Sequence, residues 1–135
     1  MAFLIDTDII IYSLKGHEKV QRWMLKNQNI PKFISVITYG ELTYGARKSK
    51  FQEKNIATVK RIGELFSIID INKNIIEIFG ELKAKLEISG TRVDDMDLII
   101  AASSLYMNMP LVTNNARHFS KIPNIVLENW EKNYK

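Results

Sequence analysis

Cysteine is absent from this sequence of 135 residues. Its absence excludes disulfide bonds, thiolate nucleophiles and cysteine-ligated zinc sites, and it fits a reducing compartment. No apolar run has the length of a membrane span, and the N-terminus has neither the basic leader nor the small-residue cleavage site of a signal peptide. We therefore expect a cytoplasmic protein that does not enter the membrane.

Acidic side chains are slightly scarce, because 15 Asp and Glu stand against 19 Lys and Arg, for a net charge of +4. This excess leans towards an acidic partner such as nucleic acid, but only mildly. The composition, 46% hydrophobic and 25% charged, is that of an ordinary globular protein. The length suits a single domain over residues 1–135.

Two common catalytic motifs are also missing. The sequence has no Gly-x-Ser-x-Gly elbow of the kind that carries a nucleophilic serine. Gly40 and Gly45 have the spacing of a phosphate-binding loop, but Ala46 and Arg47 replace the required Lys-Ser/Thr pair. Both glycines also lie within a predicted helix, so the pattern does not indicate nucleotide binding.

Short apolar runs alternate with amphipathic segments along the chain. The runs predict strands at residues 2–5, 32–36, 67–71, 111–113 and 125–127. The amphipathic segments predict helices at 9–14, 18–26, 38–48, 52–66 and 73–88, and a further helix that starts at Asp94 or Asp95. This alternation predicts an α/β protein, a three-layer α/β/α sandwich with a mainly parallel central sheet.

Polar residues follow the predicted strands and open the predicted helices. Right-handed crossovers bring all the strand-to-helix turns of a parallel sheet to one edge, where ligands usually bind. Asp6 ends the first apolar run, and Thr113 ends the fourth. The residues expected together at this edge are Asp6, Asp8, Glu41, Asp94, Asp95, Asp97, Thr113, Asn114 and Asn115.

Each of these residues also has a local explanation. Asp6 or Asp8 can N-cap the following helix, and Glu41 can complete a capping box that begins at Thr38. The acidic residues near position 95 can complement a helix dipole, and the two asparagines can form a turn.

Taken together, the carboxylates are harder to explain locally. Two of them about 5 Å apart repel by roughly 3 kcal/mol at an effective dielectric near 20. Three or more in one pocket would be costly unless they bind a cation or take up protons. Oxygen ligands with neither cysteine nor a nearby histidine suit Mg²⁺, with Mn²⁺ as the alternative ion.

A second group of residues is basic. Arg47, Lys48 and Lys50 cluster after the third predicted helix, where they form either a solvated face or an RNA-binding surface. Arg117 and His118 follow the asparagine pair, and His118 either contacts phosphate or belongs to a solvated loop.

Four segments resemble known motifs in their order and spacing: Leu4–Asp8, Ser35–Leu42, Asp97–Ala102 and Leu111–Arg117. They resemble the motifs of PIN-domain ribonucleases, most closely VapC-type toxins of toxin–antitoxin pairs. The tail Val126–Trp130 also resembles the end of many of these toxins. The resemblance covers essentially the whole chain and implies a PIN-like fold.

The resemblance also implies an activity and partners. It implies a Mg²⁺-dependent endoribonuclease, often directed at tRNA or ribosomal RNA, that acts as a toxin and is neutralised by a cognate antitoxin. It further implies a homodimer that binds the antitoxin along an apolar groove. Trp23 and Tyr39 are expected either to line that groove or to belong to the core.

The resemblance assigns site residues by motif. Asp6, Glu41 and Asp97 match the acidic metal-site positions, with Asp6 and Asp97 binding Mg²⁺ and Glu41 completing the shell or orienting water. Asn115 matches a fourth position, where it would position water or a phosphate oxygen.

Three residues depart from the family pattern. Asp8 stands where Asn is usual, Asp94 where Gly is common, and His118 where an acidic residue is common. Asp8 and Asp94 add charge to the predicted pocket and His118 removes some, so the number of metal ions stays open.

Two other functions fit parts of the pattern. A receiver-like signalling domain would use Asp6 and Asp8 for Mg²⁺ and Asp70 for phosphorylation, but it needs a lysine after the fifth strand, where Glu128 and Asn129 follow. A catalytically silent PIN scaffold would only bind partners, and the intact acidic set argues against it.

Overall fold

The computed structural model describes residues 1–130 and is built around a five-stranded sheet. The strands are β1 (Phe3–Ile5), β2 (Lys32–Ser35), β3 (Ser67–Ile69), β4 (Leu111–Val112) and β5 (Leu127–Glu128). All the pairings are parallel, and the strand order is β3-β2-β1-β4-β5. The predicted parallel α/β architecture is therefore confirmed.

Helices connect the strands and cover the sheet. They are α1 (Thr7–Leu14), α2 (Glu18–Lys26), α3 (Val36–Arg47), α4 (Gln52–Leu65), α5 (Lys73–Ile88), α6 (Asp95–Met107) and α7 (Ala116–Phe119). None of the helices among residues 1–130 is both long enough and apolar enough to span a bilayer.

Two apolar cores lie on opposite faces of the sheet. Successive side chains of a strand point to opposite faces, so the buried β1 residues divide between the cores. Phe3 and Ile5 belong to the core packed by α1, α3 and α4. Leu4 belongs to the core packed by α5 and α6. This division produces the three layers and leaves the carboxyl end of β1 between them.

The start of α3 differs from the prediction. The capping box at Thr38 is wrong, because Ser35 is the N-cap and its Oγ accepts a hydrogen bond from Ile37 N at 3.0 Å. The helix therefore begins at Val36 and places Thr38 in the interior, where it is fully buried. Glu41 is left free to make a contact outside its own helix.

Other boundaries move by a few residues. The first helix begins at Thr7, directly after its N-cap Asp6, and not at residue 9. The last strand is 127–128 and not 125–127, because its pairing with β4 fixes its register. The short helix α7 has too few residues to produce a periodic pattern, and the sequence did not predict it.

Candidate active site

Asp6 lies where β1 ends and α1 begins, and its side chain is buried. Its Oδ1 accepts a hydrogen bond from Thr7 N at 2.8 Å, and its Oδ2 accepts one from Thr113 Oγ1 at 2.7 Å. Burial, with repulsion from Asp8, raises the pKa of Asp6 from 3.8 to about 7. A carboxylate held in this way carries a cost that an opposite charge would remove.

Asp8, two residues after Asp6, is the second residue of α1 and shares this environment. Its Oδ2 accepts a hydrogen bond from Asn114 N at 3.0 Å. Its Oδ1 is buried and, within residues 1–130, has no hydrogen-bond partner. Burial raises the pKa of Asp8 to about 6, and the charge of Asp97 adds to the rise. Buried polar atoms are rarely left unpaired, so this oxygen is suited to bind a cation or to accept a hydrogen bond.

Glu41 reaches the edge from α3, where its side chain is exposed. Its Oε1 accepts a hydrogen bond of 2.6 Å from Thr7 Oγ1. Its charge contributes to raising the pKa of Asp97. The three acidic residues named by the family motifs therefore meet at one edge, although they come from three different helices or strand ends.

Asp97 lies in the first turn of α6 and faces His118 of α7. Asp97 Oδ2 is 3.1 Å from His118 Nδ1, and the same nitrogen is 3.1 Å from Asn115 Nδ2. Burial raises the pKa of Asp97, whereas His118 acts in the opposite direction. The choice of Mg²⁺ assumed that no histidine lies near the carboxylates, and that assumption is wrong, because α7 turns position 118 back onto the edge, as the motif comparison implied for His118.

The other two acidic residues at the start of α6 have local partners. Asp94 is the N-cap, and its Oδ2 accepts a hydrogen bond from Met96 N at 3.1 Å. Asp95 forms an ion pair with Lys83 at 3.0 Å. Asp94 still repels Asp97 and helps to raise its pKa, so it contributes to the negative field of the site.

The segment after β4 supports the carboxylates through its backbone and side chains. Asn115 N donates to Thr113 Oγ1 at 2.9 Å, which fixes the hydroxyl that contacts Asp6. Asn114 Nδ2 donates to the Tyr12 hydroxyl at 2.9 Å. This segment can therefore form the predicted turn and can also take part in the predicted site.

The oxygen atoms at this edge are suitable ligands for a divalent cation, although residues 1–130 contain no preformed metal site. No three Asp, Glu or His side chains among residues 1–130 have the spacing of a preformed metal site. Hydroxyl, backbone and imidazole groups instead contact the carboxylates of Asp6, Glu41 and Asp97. Clustered oxygen donors with raised pKa values and one unpartnered oxygen on Asp8 are what a hard cation would neutralise.

The predicted RNA-binding residues divide into two groups. Arg117 is exposed on α7, beside the half-buried His118. Arg47, Lys48 and Lys50 are exposed at and after the end of α3. Lys48 lies over the ring of Tyr44, and Lys50 lies over that of Phe51, so both flank exposed aromatic rings.

The two predicted groove residues contact the core that faces α3. Trp23 is half-buried and stacks on Trp130, with 6.0 Å between the ring centroids. Tyr39 is half-buried and lines a cavity of about 110 Å³ with Arg47 and Lys60.

Sequence reasoning did not single out Thr7 or Tyr12. Thr7 contacts Glu41, and Tyr12 contacts Asn114, so both touch residues that the sequence did select. The available signal was the position of Thr7, a hydroxyl residue directly after Asp6 at the end of a buried strand.

Comparison with known proteins places the chain in a family. The family model described as "PIN domain" matches residues 3–125. Ribonuclease VapC2 of Rickettsia felis is 36% identical over 98% of this chain and 100% of its own length. The tRNA(fMet)-specific endonuclease VapC of Salmonella typhimurium is 32% identical over 96% of this chain and 98% of its own length.

Solved structures agree with these relatives. The structure of VapBC2 from R. felis bound to a promoter DNA fragment superposes with a TM-score of 0.87 at 35% identity, covering 96% of this chain and 99% of that one. DNA-bound VapBC from S. typhimurium gives a TM-score of 0.89 at 33% identity, covering 96% of this chain and 98% of that one. The chain therefore belongs to the PIN-domain family and, within it, to the VapC ribonuclease toxins of VapBC toxin–antitoxin systems.

Proposed function

We propose that this ribonuclease is a Mg²⁺-dependent endonuclease that hydrolyses phosphodiester bonds of tRNA or ribosomal RNA at the edge formed by Asp6, Glu41 and Asp97. The observation that carries the proposal is the burial of neighbouring carboxylates at that edge, with repulsion between them as the smaller cause of their raised pKa values. The pKa of Asp6 rises to about 7 and that of Asp8 to about 6, while Asp8 Oδ1 has no partner within residues 1–130. A divalent cation would neutralise the buried charges and would give Asp8 Oδ1 a partner.

Each residue of the edge would have a separate task. Asp6 and Asp97 would hold the ion, and Glu41 would complete its surroundings or orient the attacking water. Asn115 would donate a hydrogen bond to that water or to a phosphate oxygen. When bound, Mg²⁺, or Mn²⁺ in its place, lowers the pKa of water and stabilises charge on the phosphate.

The choice of tRNA or ribosomal RNA as substrate has its own support. A relative that is 32% identical is a tRNA(fMet)-specific endonuclease. The net charge of +4 favours binding of a polyanion. Arg117, beside His118, is the candidate contact to the backbone around the cut, while Arg47, Lys48 and Lys50 are candidates for more distant contacts.

Assembly with an antitoxin and a second copy completes the proposal. Similar chains have been solved within VapBC complexes, including those from R. felis and S. typhimurium. We propose that this chain forms a homodimer and is inhibited by its own antitoxin. Tyr39 and Trp23 are the candidate residues for that contact because both are half-buried at the surface of one core.

Cleavage of total RNA by purified protein tests the activity, the metal and the site together. Wild type is expected to cut RNA with Mg²⁺ but not with EDTA, and sequencing of the new ends would identify the target. Asp97→Asn should abolish cleavage, because it removes a ligand charge without changing shape.

Asp95→Asn is the matched control for this experiment. It makes the same change two residues away on α6, at a carboxylate engaged by Lys83, and is expected to retain activity. Cleavage by Asp97→Asn at the wild-type rate, or wild-type cleavage in EDTA, would contradict the proposal.

A further inference from the structure

A chain of two hydroxyl groups connects Glu41 to the protein interior. Thr7, the first residue of α1, lies between two residues of α3 that are one turn apart. Its Oγ1 is 2.6 Å from Glu41 Oε1 and 3.0 Å from Thr38 Oγ1. The side chain of Thr38 is completely buried, whereas that of Glu41 is exposed.

The number of available protons decides which group is the donor and which the acceptor in each of these two hydrogen bonds. A threonine hydroxyl has one proton to donate and two lone pairs, and an ionised carboxylate can only accept. The proton of Thr7 must therefore go to Glu41, so Thr38 must be the donor in the contact with Thr7. The order is Thr38 to Thr7 to Glu41, and each hydroxyl is used in one defined orientation.

This arrangement restrains a carboxylate that would otherwise be mobile. An exposed glutamate has several rotatable bonds, and ordering such a side chain costs conformational entropy. Within residues 1–130, Thr7 Oγ1 is the hydrogen-bond partner of the Glu41 carboxylate. The 2.6 Å separation is that of an O–H donor to a charged oxygen, which is roughly twice as strong as a neutral pair.

We propose that Thr7 is a positioning residue for RNA cleavage: its hydroxyl, oriented by the buried hydroxyl of Thr38, holds Glu41 at the acidic edge. This inference rests on the proposed function, since it takes Glu41 to act in the reaction. Thr7 itself acts only through Glu41, so its loss should slow the catalytic step more than it weakens RNA binding.

Steady-state cleavage of unfractionated tRNA with Mg²⁺ tests this role. Thr7→Val keeps the shape of the side chain and removes the hydroxyl, and we expect kcat to fall by about 10- to 100-fold with KM changed by less than about threefold. Thr7→Ser restores the hydroxyl and should return kcat to within about threefold of wild type. Thr43→Val is the control, because within residues 1–130 the Thr43 hydroxyl on α3 donates its hydrogen bond to the Tyr39 carbonyl, at 2.8 Å.

A double mutant separates positioning from a general loss of structure. In a Glu41→Gln background, Thr7→Val should cause little further loss, because there is no longer a charged carboxylate to hold. An undiminished kcat in Thr7→Val, a failure of Thr7→Ser to restore it, or an equal further loss in the Glu41→Gln background would overturn the inference.

The outcome for Glu41 keeps the two proposals distinguishable. If Glu41→Gln is inactive while Thr7→Val is fully active, only the role of Thr7 is wrong. If Glu41→Gln cuts tRNA at the wild-type rate, the proposed assignment of Glu41 is wrong, and the role of Thr7 is overturned with it.

Discussion

Thr113 donates a hydrogen bond of 2.7 Å to Asp6 Oδ2, although 107 positions separate the two residues in the sequence. The contact exists because β4 pairs directly with β1, so the residues that follow these strands lie side by side. The Thr113 hydroxyl is in turn fixed by Asn115 N at 2.9 Å. The ends of two neighbouring strands thus hold the most buried carboxylate of the edge.

Replacing Thr113 by valine tests how much this hydrogen bond contributes to the pKa of Asp6 and to the unfolding free energy. The hydrogen bond lowers the pKa of Asp6, so Thr113→Val is expected to raise that pKa above its present value of about 7. At pH 8, above the wild-type pKa of Asp6, we expect the unfolding free energy to fall by about 1–3 kcal/mol because a buried acceptor loses its donor. Urea denaturation at pH 8 measures the loss, and Thr113→Ser should show little of it.

Gly63 allows α4 to pack closely on α3. A Cβ at this position would lie 2.8 Å from Cε1 of Tyr39, closer than real side chains approach. Gly63→Ala should therefore destabilise the protein by about 1–3 kcal/mol. Gly45→Ala is the control, because a Cβ there meets nothing within 4 Å, and alanine at this exposed position of α3 should stabilise the helix by up to about 1 kcal/mol. Equal melting temperatures for the two variants would contradict the close approach.

His118 should influence the titration of Asp97. Its imidazole, 3.1 Å from the carboxylate, lowers the pKa of Asp97 against the effect of burial. His118→Gln removes that contribution, so we expect the pKa of Asp97 in the metal-free protein to rise. Carboxyl-detected NMR titration measures the change, with His17→Gln as the control because His17 caps α2. An unchanged titration of Asp97 in His118→Gln would contradict the contact.

The metal-free protein should lose stability as the pH rises from about 4 to about 7. Asp6 and Asp8 have folded-state pKa values of about 7 and about 6, both above the ordinary value of 3.8. The folded state therefore binds protons more tightly than the unfolded state, and stability is highest below the unfolded pKa and declines through the folded pKa. Denaturation in EDTA at pH 5 and pH 8 tests this, and greater stability at pH 8 would contradict it.

Much of the fold was predictable because the sheet is buried and parallel. Residues 3–5 are apolar without interruption, and Asp6 marks the end of their strand, so the edge of the sheet could be located from sequence. The start of α3 was not predictable, because Ser35 and Thr38 are both good N-cap residues. In the structure Ser35 pairs with Ile69, so β2 extends to Ser35. Ser35 rather than Thr38 is therefore the N-cap of α3.

The acidic members of the site were predictable from motif positions, but their contacts were not. The contact of Thr7 with Glu41 depends on how α1 packs on α3, and no local pattern records a contact across 34 positions. The approach of His118 to Asp97 depends on the four-residue helix α7, which is too short to have a periodic signature.

Melting temperatures of wild type and Asp6→Asn, each in EDTA and in Mg²⁺, test the central claim that these carboxylates form a cation site. In EDTA at pH 8 the variant should melt higher, because it removes a charge that is destabilised by burial and by repulsion from Asp8. Mg²⁺ at about 100 times its dissociation constant should stabilise wild type by about 2.7 kcal/mol and the variant much less, while Asp95→Asn should respond like wild type. A variant that melts lower than wild type in EDTA, with no effect of Mg²⁺ on either protein, would contradict the account.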